Sequence, residues 1–199
     1  MNVSAFIPIK KFSTSKKRLS NIVSSSEREN LAVLMATKTI DTLFNSKICN
    51  SITVVTNDKN LHLNNATSYF TKSLLNEGLN EAINSHAKND IILIMHADLP
   101  RINELDLQEL TKIFDVKKVS IISDLLKQGT NCLMFNSSLN FKLKFGIDSY
   151  NLFINEFINN EINCEPLKLI VPTKYLGFIR KNSTQKRANP AKNKYSYIN

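Results

Sequence analysis

Residues 90–100 read DIILIMHADLP, and the interpretation of this stretch decides the fold. Five consecutive apolar residues, Ile91 to Met95, predict a strand buried on both faces, as in the middle of a parallel sheet. Polarity changes at once to His96, Ala97 and Asp98, and Pro100 forbids continuation. In an open α/β sheet, ligands bind just beyond the carboxyl ends of the strands. Asp98 therefore stands either where a nucleotide-using enzyme would hold a metal ion or where a chain simply turns or caps its next helix.

Outward from this strand, apolar and amphipathic segments alternate. Upstream, Val3 to Ile9 (VSAFIPI) and the β-branched Ser51 to Thr56 (SITVVT) predict two buried strands, with a shorter one over Ala66 to Phe70. Between the first two, Ser26 with Glu29 fits a capping box, and Leu31, Leu34, Met35, Ile40, Leu43 and Phe44 recur at helical spacing, with Ala32, Val33 and Ala36 widening the stripe. Gly78 reads as a loop glycine opening a helix over Leu79 to Ala87, whose first amides would be free for a base, ribose or phosphate. Downstream, Asn103 to Phe114 predicts a helix with Leu105, Leu107, Leu110 and Ile113 inward. Strands follow at Val119 to Ser123, Cys132 to Phe135 and Pro166 to Val171, with a helix over Tyr150 to Asn159 capped by Asp148 or Ser149. Short links between alternating elements make the class α/β with a mainly parallel sheet.

The 199 residues suit one domain with a sizeable core, and 42% hydrophobic with 22% charged content is ordinary for a soluble protein. No apolar run approaches the ~20 residues of a membrane span, and no signal-peptide pattern opens the chain, so a cytoplasmic location is expected. Cys49, Cys132 and Cys164 lack metal or disulfide spacing and read as reduced, mostly buried thiols. The net charge of +9 is unevenly placed: Lys174 to Asn199 holds seven Lys/Arg and no acid, leaving +2 for residues 1–173. This divides the chain into a domain, 1–173, and a basic tail, 174–199, expected to be solvated and partly disordered. A second basic cluster, Lys10, Lys11, Lys16, Lys17 and Arg18, follows the first strand, the usual phosphate position of such a fold. It contains no glycine, so phosphate would be held there by side chains and not by a P-loop; a solvated surface loop has the same composition.

Glycine is scarce, and Gly78, Gly129 and Gly146 sit in the short motifs GLN, GTN and FGIDS. Together with PIKKFSTSKKRL near the start and ADLP in the middle, these resemble the 2-phospho-L-lactate guanylyltransferase family of coenzyme F420 biosynthesis, whose relatives use phosphoenolpyruvate or 3-phosphoglycerate. The resemblance runs in order from Ala5 to about Lys168. It implies a Rossmann-like, three-layer nucleotidyltransferase of the GT-A type, in which the acceptor's phosphate attacks the α-phosphorus of GTP and pyrophosphate leaves. By the same resemblance Lys10, Lys16 and Arg18 hold the triphosphate, with Lys10, Arg18 and Asp98 as the catalytic set. Gly78, Leu79 and Asn80 lie by the nucleoside, Asp98 is a Mg²⁺ ligand, and Thr130, Gly146 and Ser149 grip the phospho-acid. The partners implied are GTP and that small acid, with neither membrane nor nucleic acid expected and a homodimer compatible. Two departures are visible: the family's GTGTN loop is reduced to Lys127-Gln128-Gly129-Thr130-Asn131, and its closing D-x-D-T-P-x-D-L segment, whose aspartates complete the metal site, corresponds here to Gly177 to Thr184, with no acid after Glu165. The missing aspartates leave open a catalytically impaired homologue, and the basic tail a nucleotide- or RNA-binding α/β protein; another nucleotidyltransferase of the same fold, using CTP or a sugar phosphate, is the third alternative.

Overall fold

A computed structural model describes residues 1–14, 21–87 and 90–167. Lys16, Arg18, the last expected strand beyond Leu167 and the basic tail lie outside the described residues. The chain runs β1 (Val3–Ile9), α1 (Ser25–Ser46), β2 (Ser51–Thr56), β3 (Thr67–Phe70), α2 (Leu75–His86), β4 (Ile91–Met95), α3 (Glu104–Ile113), β5 (Val119–Ser123), β6 (Thr130–Asn136), α4 (Ser149–Asn159) and β7 (Cys164–Leu167). The strands form one sheet in the order β3-β2-β1-β4-β6-β5-β7. β1 pairs in parallel with β2 and β4, while β6 is antiparallel to both β4 and β5. The sheet is thus mainly parallel, with β6 reversed, and the class is α/β as the alternation predicts.

The layers follow from strand alternation. Ile91, Leu93 and Met95 of β4 face a cluster containing Ile40 and Leu43 of α1 and Leu107 and Leu110 of α3. Ile92 and Ile94 face the other cluster, with Leu79 and Ala82 of α2 and Phe153 and Phe157 of α4. β4 is buried along its whole length, which explains its unbroken apolar run. On the α4 side the rings of Phe135, Phe141, Phe157, Phe153 and Phe145 touch in succession, with centroids 4.8 to 5.7 Å apart.

Three helix expectations need correction. The capping box is Ser24 with Glu27, two residues earlier than Ser26 with Glu29: Glu27 N–H donates to Ser24 Oγ and Ser24 N–H to Glu27 Oε2. The serine run supplies the S-x-x-E pattern twice, and the earlier copy is used. The inward face of α1 is Ala32, Ala36, Thr39, Ile40, Leu43 and Ser46, while Leu34 and Phe44 are exposed. In α3 only Leu107 and Leu110 of the four expected residues are buried, and Leu105 is 75% exposed. In α1 small residues make up much of the buried face, so the larger apolar side chains alone were a misleading guide to it.

Phe153 is fully buried within the ring series, between Phe157 and Phe145. Phe153→Ala should lower stability by about 3–5 kcal/mol through lost burial and the cavity left behind. Urea denaturation checks this; a loss below 1 kcal/mol would mean that the α4 face repacks freely.

Candidate functional site

Because β1, β2 and β4 are parallel, their carboxyl ends share one edge of the sheet. β2 and β3 lie on one side of β1 and β4 on the other, so strand order reverses between β1 and β4, the position where such sheets bind ligands. A cleft of about 470 Å³ opens there. Its walls are the ends of the three strands (Pro8 to Lys10, Val55 to Asn57, His96 to Asp98) and the segment entering α2.

Local bonds fix each wall. Asn57 Oδ1 accepts from the Lys11 amide at 3.2 Å, tying the β1 exit to the β2 exit. From α1, the buried Thr39 hydroxyl donates to the Ala97 carbonyl at 3.2 Å, and Lys38 Nζ donates to Pro100 O at 2.8 Å. The loop bearing Asp98 is thereby held from both ends. Glu81 of α2 accepts from the hydroxyls of Ser73 and Thr71, at 2.6 and 2.8 Å, and these bonds hold its carboxyl below the usual range.

The expected nucleotide residues separate on this frame. Lys10, Gly78 and Asp98 line the one cleft. Leu79 is fully buried in the core, and Asn80 is exposed and not among the residues lining the cleft. Gly78 does not open the helix. α2 begins at Leu75, and the Gly78 amide already donates to Leu74 O at 2.8 Å. Glycine is needed there because a Cβ would fall 2.7 Å from Thr71 Cγ2. The amides left over by the helix are those of the first turn, ahead of Gly78, and the cap residue Leu74 offers them no side-chain acceptor.

The expected acceptor residues gather at the same sheet edge. The reversed β6 starts where β4 ends, with Met95 opposite Cys132 and the His96 amide donating to Asn131 O at 3.0 Å. The Thr130 amide donates to Ser149 Oγ at 2.9 Å, joining the start of β6 to the start of α4; both residues are buried. Thr130 Oγ1 is buried without a hydrogen-bond partner among the described residues, an arrangement that costs about 1–3 kcal/mol until a ligand or water oxygen satisfies it. Gly146 has φ +143°, a backbone conformation that disfavours side chains even though a Cβ would meet nothing within 4 Å.

Two residues outside the motifs join these halves. Asn76, in the first turn of α2, accepts from the Phe145 amide at 2.9 Å and donates to its carbonyl at 3.1 Å. His96 packs its ring on Phe145, centroids 5.9 Å apart, with Nδ1 3.8 Å from Asp98 Oδ1. Glu156 of α4 secures the approach to Phe145, accepting from the Lys142 amide at 2.9 Å with Lys144 Nζ at 3.3 Å. The Lys142 bond, with help from Lys144, lowers the Glu156 pKa. Its contribution to stability is thus present above the usual glutamate range and lost as pH falls through the lowered value. Asp124 and Asp148 serve their own loops: Asp124 Oδ1 accepts from the Gln128 amide and Asp148 Oδ1 from Asn151 Nδ2. Among the described residues no group of three or more His, Cys, Asp or Glu could hold a metal ion. The thiols are unsuited to nucleophilic work, burial raising Cys49 to about 12 and Cys164 to about 11.

Residues 3–165 match the family model described as "Guanylyl transferase CofC like". The chain belongs to this family. A 2-phospho-L-lactate guanylyltransferase of Methanosphaera stadtmanae is 29% identical over 175 residues, covering 81% of this chain and 73% of that relative. A phosphoenolpyruvate guanylyltransferase of Thermobaculum terrenum is 25% identical over 174 residues, covering 84% and 72%. Among solved structures, a proposed nucleotide-diphospho-sugar transferase from Desulfovibrio desulfuricans aligns with a TM-score of 0.71 at 14% identity, over 94% of this chain and 91% of that one. That likeness establishes the fold as the nucleotidyltransferase-like, layered α/β type. Membership of the CofC-like family thus accounts for the ordered motifs. Asn76 carries no comparable local signal, because its partner Phe145 lies 69 residues away, and the packing of His96 on the same ring is equally long-range.

Asn76→Ala would leave the Phe145 N–H and C=O without their partners. The expected cost is about 1–3 kcal/mol of stability, measured by urea denaturation, with Asn76→Asp intermediate because it keeps the acceptor and loses the donor. Equal stability of Asn76→Ala and the parent would mean that the clamp contributes nothing.

Proposed function

We propose that the protein transfers GMP from GTP to a small phosphorylated carboxylic acid, 2-phospho-L-lactate, phosphoenolpyruvate or 3-phosphoglycerate, releasing pyrophosphate as a step of coenzyme F420 biosynthesis. The observation that carries this reading is the cleft at the strand-order reversal, where Lys10, the first turn of α2 and Asp98 meet in a chain of the CofC-like family. An oxygen of the acceptor's phosphate forms a bond to the α-phosphorus of GTP as the bond to the β-phosphate oxygen breaks, and the leaving charge departs on pyrophosphate. Little covalent chemistry is asked of the protein; the barrier falls by aligning negative groups and countering their charge.

Each residue's part follows from its place. Lys10, exposed at the β1 exit, counters phosphate charge, with Lys16 and Arg18 beside it in sequence as further candidates. The amides of the first turn of α2 favour an anion or an electron-rich base edge. The Asp98 carboxylate suits a divalent cation, Mg²⁺ by family resemblance, which needs only one or two carboxylates when water and phosphate oxygens complete its shell. Such an ion would supply charge neutralisation across the phosphates. Thr130, Gly146 and Ser149 receive the acid: the orphan Thr130 hydroxyl can donate to a carboxylate or phosphate oxygen, and Gly146 leaves open space for it.

Incubation with Mg²⁺ or Mn²⁺, GTP and each acid in turn should release pyrophosphate with at least one of them. Asp98→Asn should reduce that rate by about 10²–10³-fold. No release with any acid and either metal would overturn the reading. Thr130→Val removes the buried orphan, so melting temperature should hold or rise while KM for the acid increases and KM for GTP stays level. Unchanged acid KM would remove Thr130 from the acceptor site.

A further inference from the structure

The loop after β4 presents two donor side chains to the cleft, and the function above uses only one of them. His96 and Asp98 both line the cleft, with His96 Nδ1 3.8 Å from Asp98 Oδ1 and side-chain exposures of 39% and 48%. At 3.8 Å the pair is beyond hydrogen-bond reach. Donors bound at right angles to one ion of ordinary radius stand about 3 Å apart, so a small rotation of either side chain would bring both into one coordination shell. The rest of His96 is already fixed, by its amide on Asn131 O and its ring against Phe145.

We propose that His96 is a second ligand of the divalent cation held by Asp98, and that it tilts the site from Mg²⁺ toward Mn²⁺. The inference rests on the reading of Asp98 as a metal ligand. Magnesium takes oxygen donors and gives up water reluctantly, whereas imidazole suits first-row transition ions. Among the described residues no cluster of three ligand side chains exists, so one nitrogen and one oxygen donor are what this loop offers. Nucleotide oxygens and water would fill the remaining positions. The neutral imidazole brings no negative charge toward the triphosphate, which a second carboxylate would.

Mn²⁺ titration of the full chain with GTP, followed by electron paramagnetic resonance, tests this directly. The parent protein should bind one Mn²⁺ about tenfold or more tightly than Mg²⁺ in competition. Electron spin-echo spectra should show nitrogen coupling that changes when the protein, not the nucleotide, is labelled with ¹⁵N. His96→Gln should lose that coupling and weaken Mn²⁺ about tenfold while shifting Mg²⁺ by less than twofold, at an unchanged melting temperature. Overturning results are a parent spectrum without protein nitrogen coupling, or His96→Gln binding Mn²⁺ as the parent does. Asp98→Asn separates the two readings. Loss of Mn²⁺ in Asp98→Asn with no change in His96→Gln keeps Asp98 and rejects His96; the converse rejects Asp98 as the ligand and overturns the shared site with it.

Discussion

The antiparallel pairing of β6 against β4 is the constraint on which the site depends. In a wholly parallel sheet, residues at the start of a strand lie at the edge opposite to its neighbours' carboxyl ends. Reversing β6 brings Thr130 and Asn131, at its start, beside His96, at the end of β4. Register is enforced by burial, since Ile91, Leu93 and Met95 face one cluster and Ile92 and Ile94 the other. A slip of one residue would exchange the two sets and move Asn131 away from the His96 amide. The buried length of β4 and the position of the two half-sites are therefore one specification.

Around that edge the helices act mainly as anchors for loops. Thr39 and Lys38 hold the ADLP carbonyls from one face of the sheet; Asn76, Glu81 and Glu156 hold the facing loops from the other. Most of these bonds join a side chain on a helix to a loop backbone group, which fixes the course of the loop. Lys10, His96 and Asp98 line the cleft on this braced backbone. A reaction that needs phosphates aligned, more than it needs covalent partners, benefits from bracing of this kind.

How much of this was legible in the sequence varied with the range of the interaction. β1, β2, β4 and β5 could be read because they are largely buried on both faces and rich in apolar and β-branched residues, a purely local signal. Helix faces were less legible, since α1 turns Thr39 and Ser46 inward beside the expected Ala32 and Ala36 and leaves Leu34 outside. The start of α2 was placed four residues late, because Leu74 gives no capping signal and Gly78 looks like a loop residue when its contact with Thr71 is unknown. Asp98 could be read from its strand end. Asn76 could not, since its partner Phe145 is 69 residues away and no pattern near either residue encodes the bond.

Charge bookkeeping explains why a donor such as His96 would be worth having at this site. Among the described residues Asp98 is the one acid lining the cleft, against Lys10 and the positive end of α2. A nucleoside triphosphate and a phospho-acid must both enter, and each carboxylate added to hold a metal would repel both while cancelling part of the ion's charge. An imidazole donor orients the ion without that repulsion and leaves more of its charge for the phosphates. The same ring, packed on Phe145, lies against the segment that Asn76 clamps to α2. Any shift of His96 toward an ion would therefore be felt by the Phe145 segment, which ties the charge at the end of β4 to the geometry of the loop before α4.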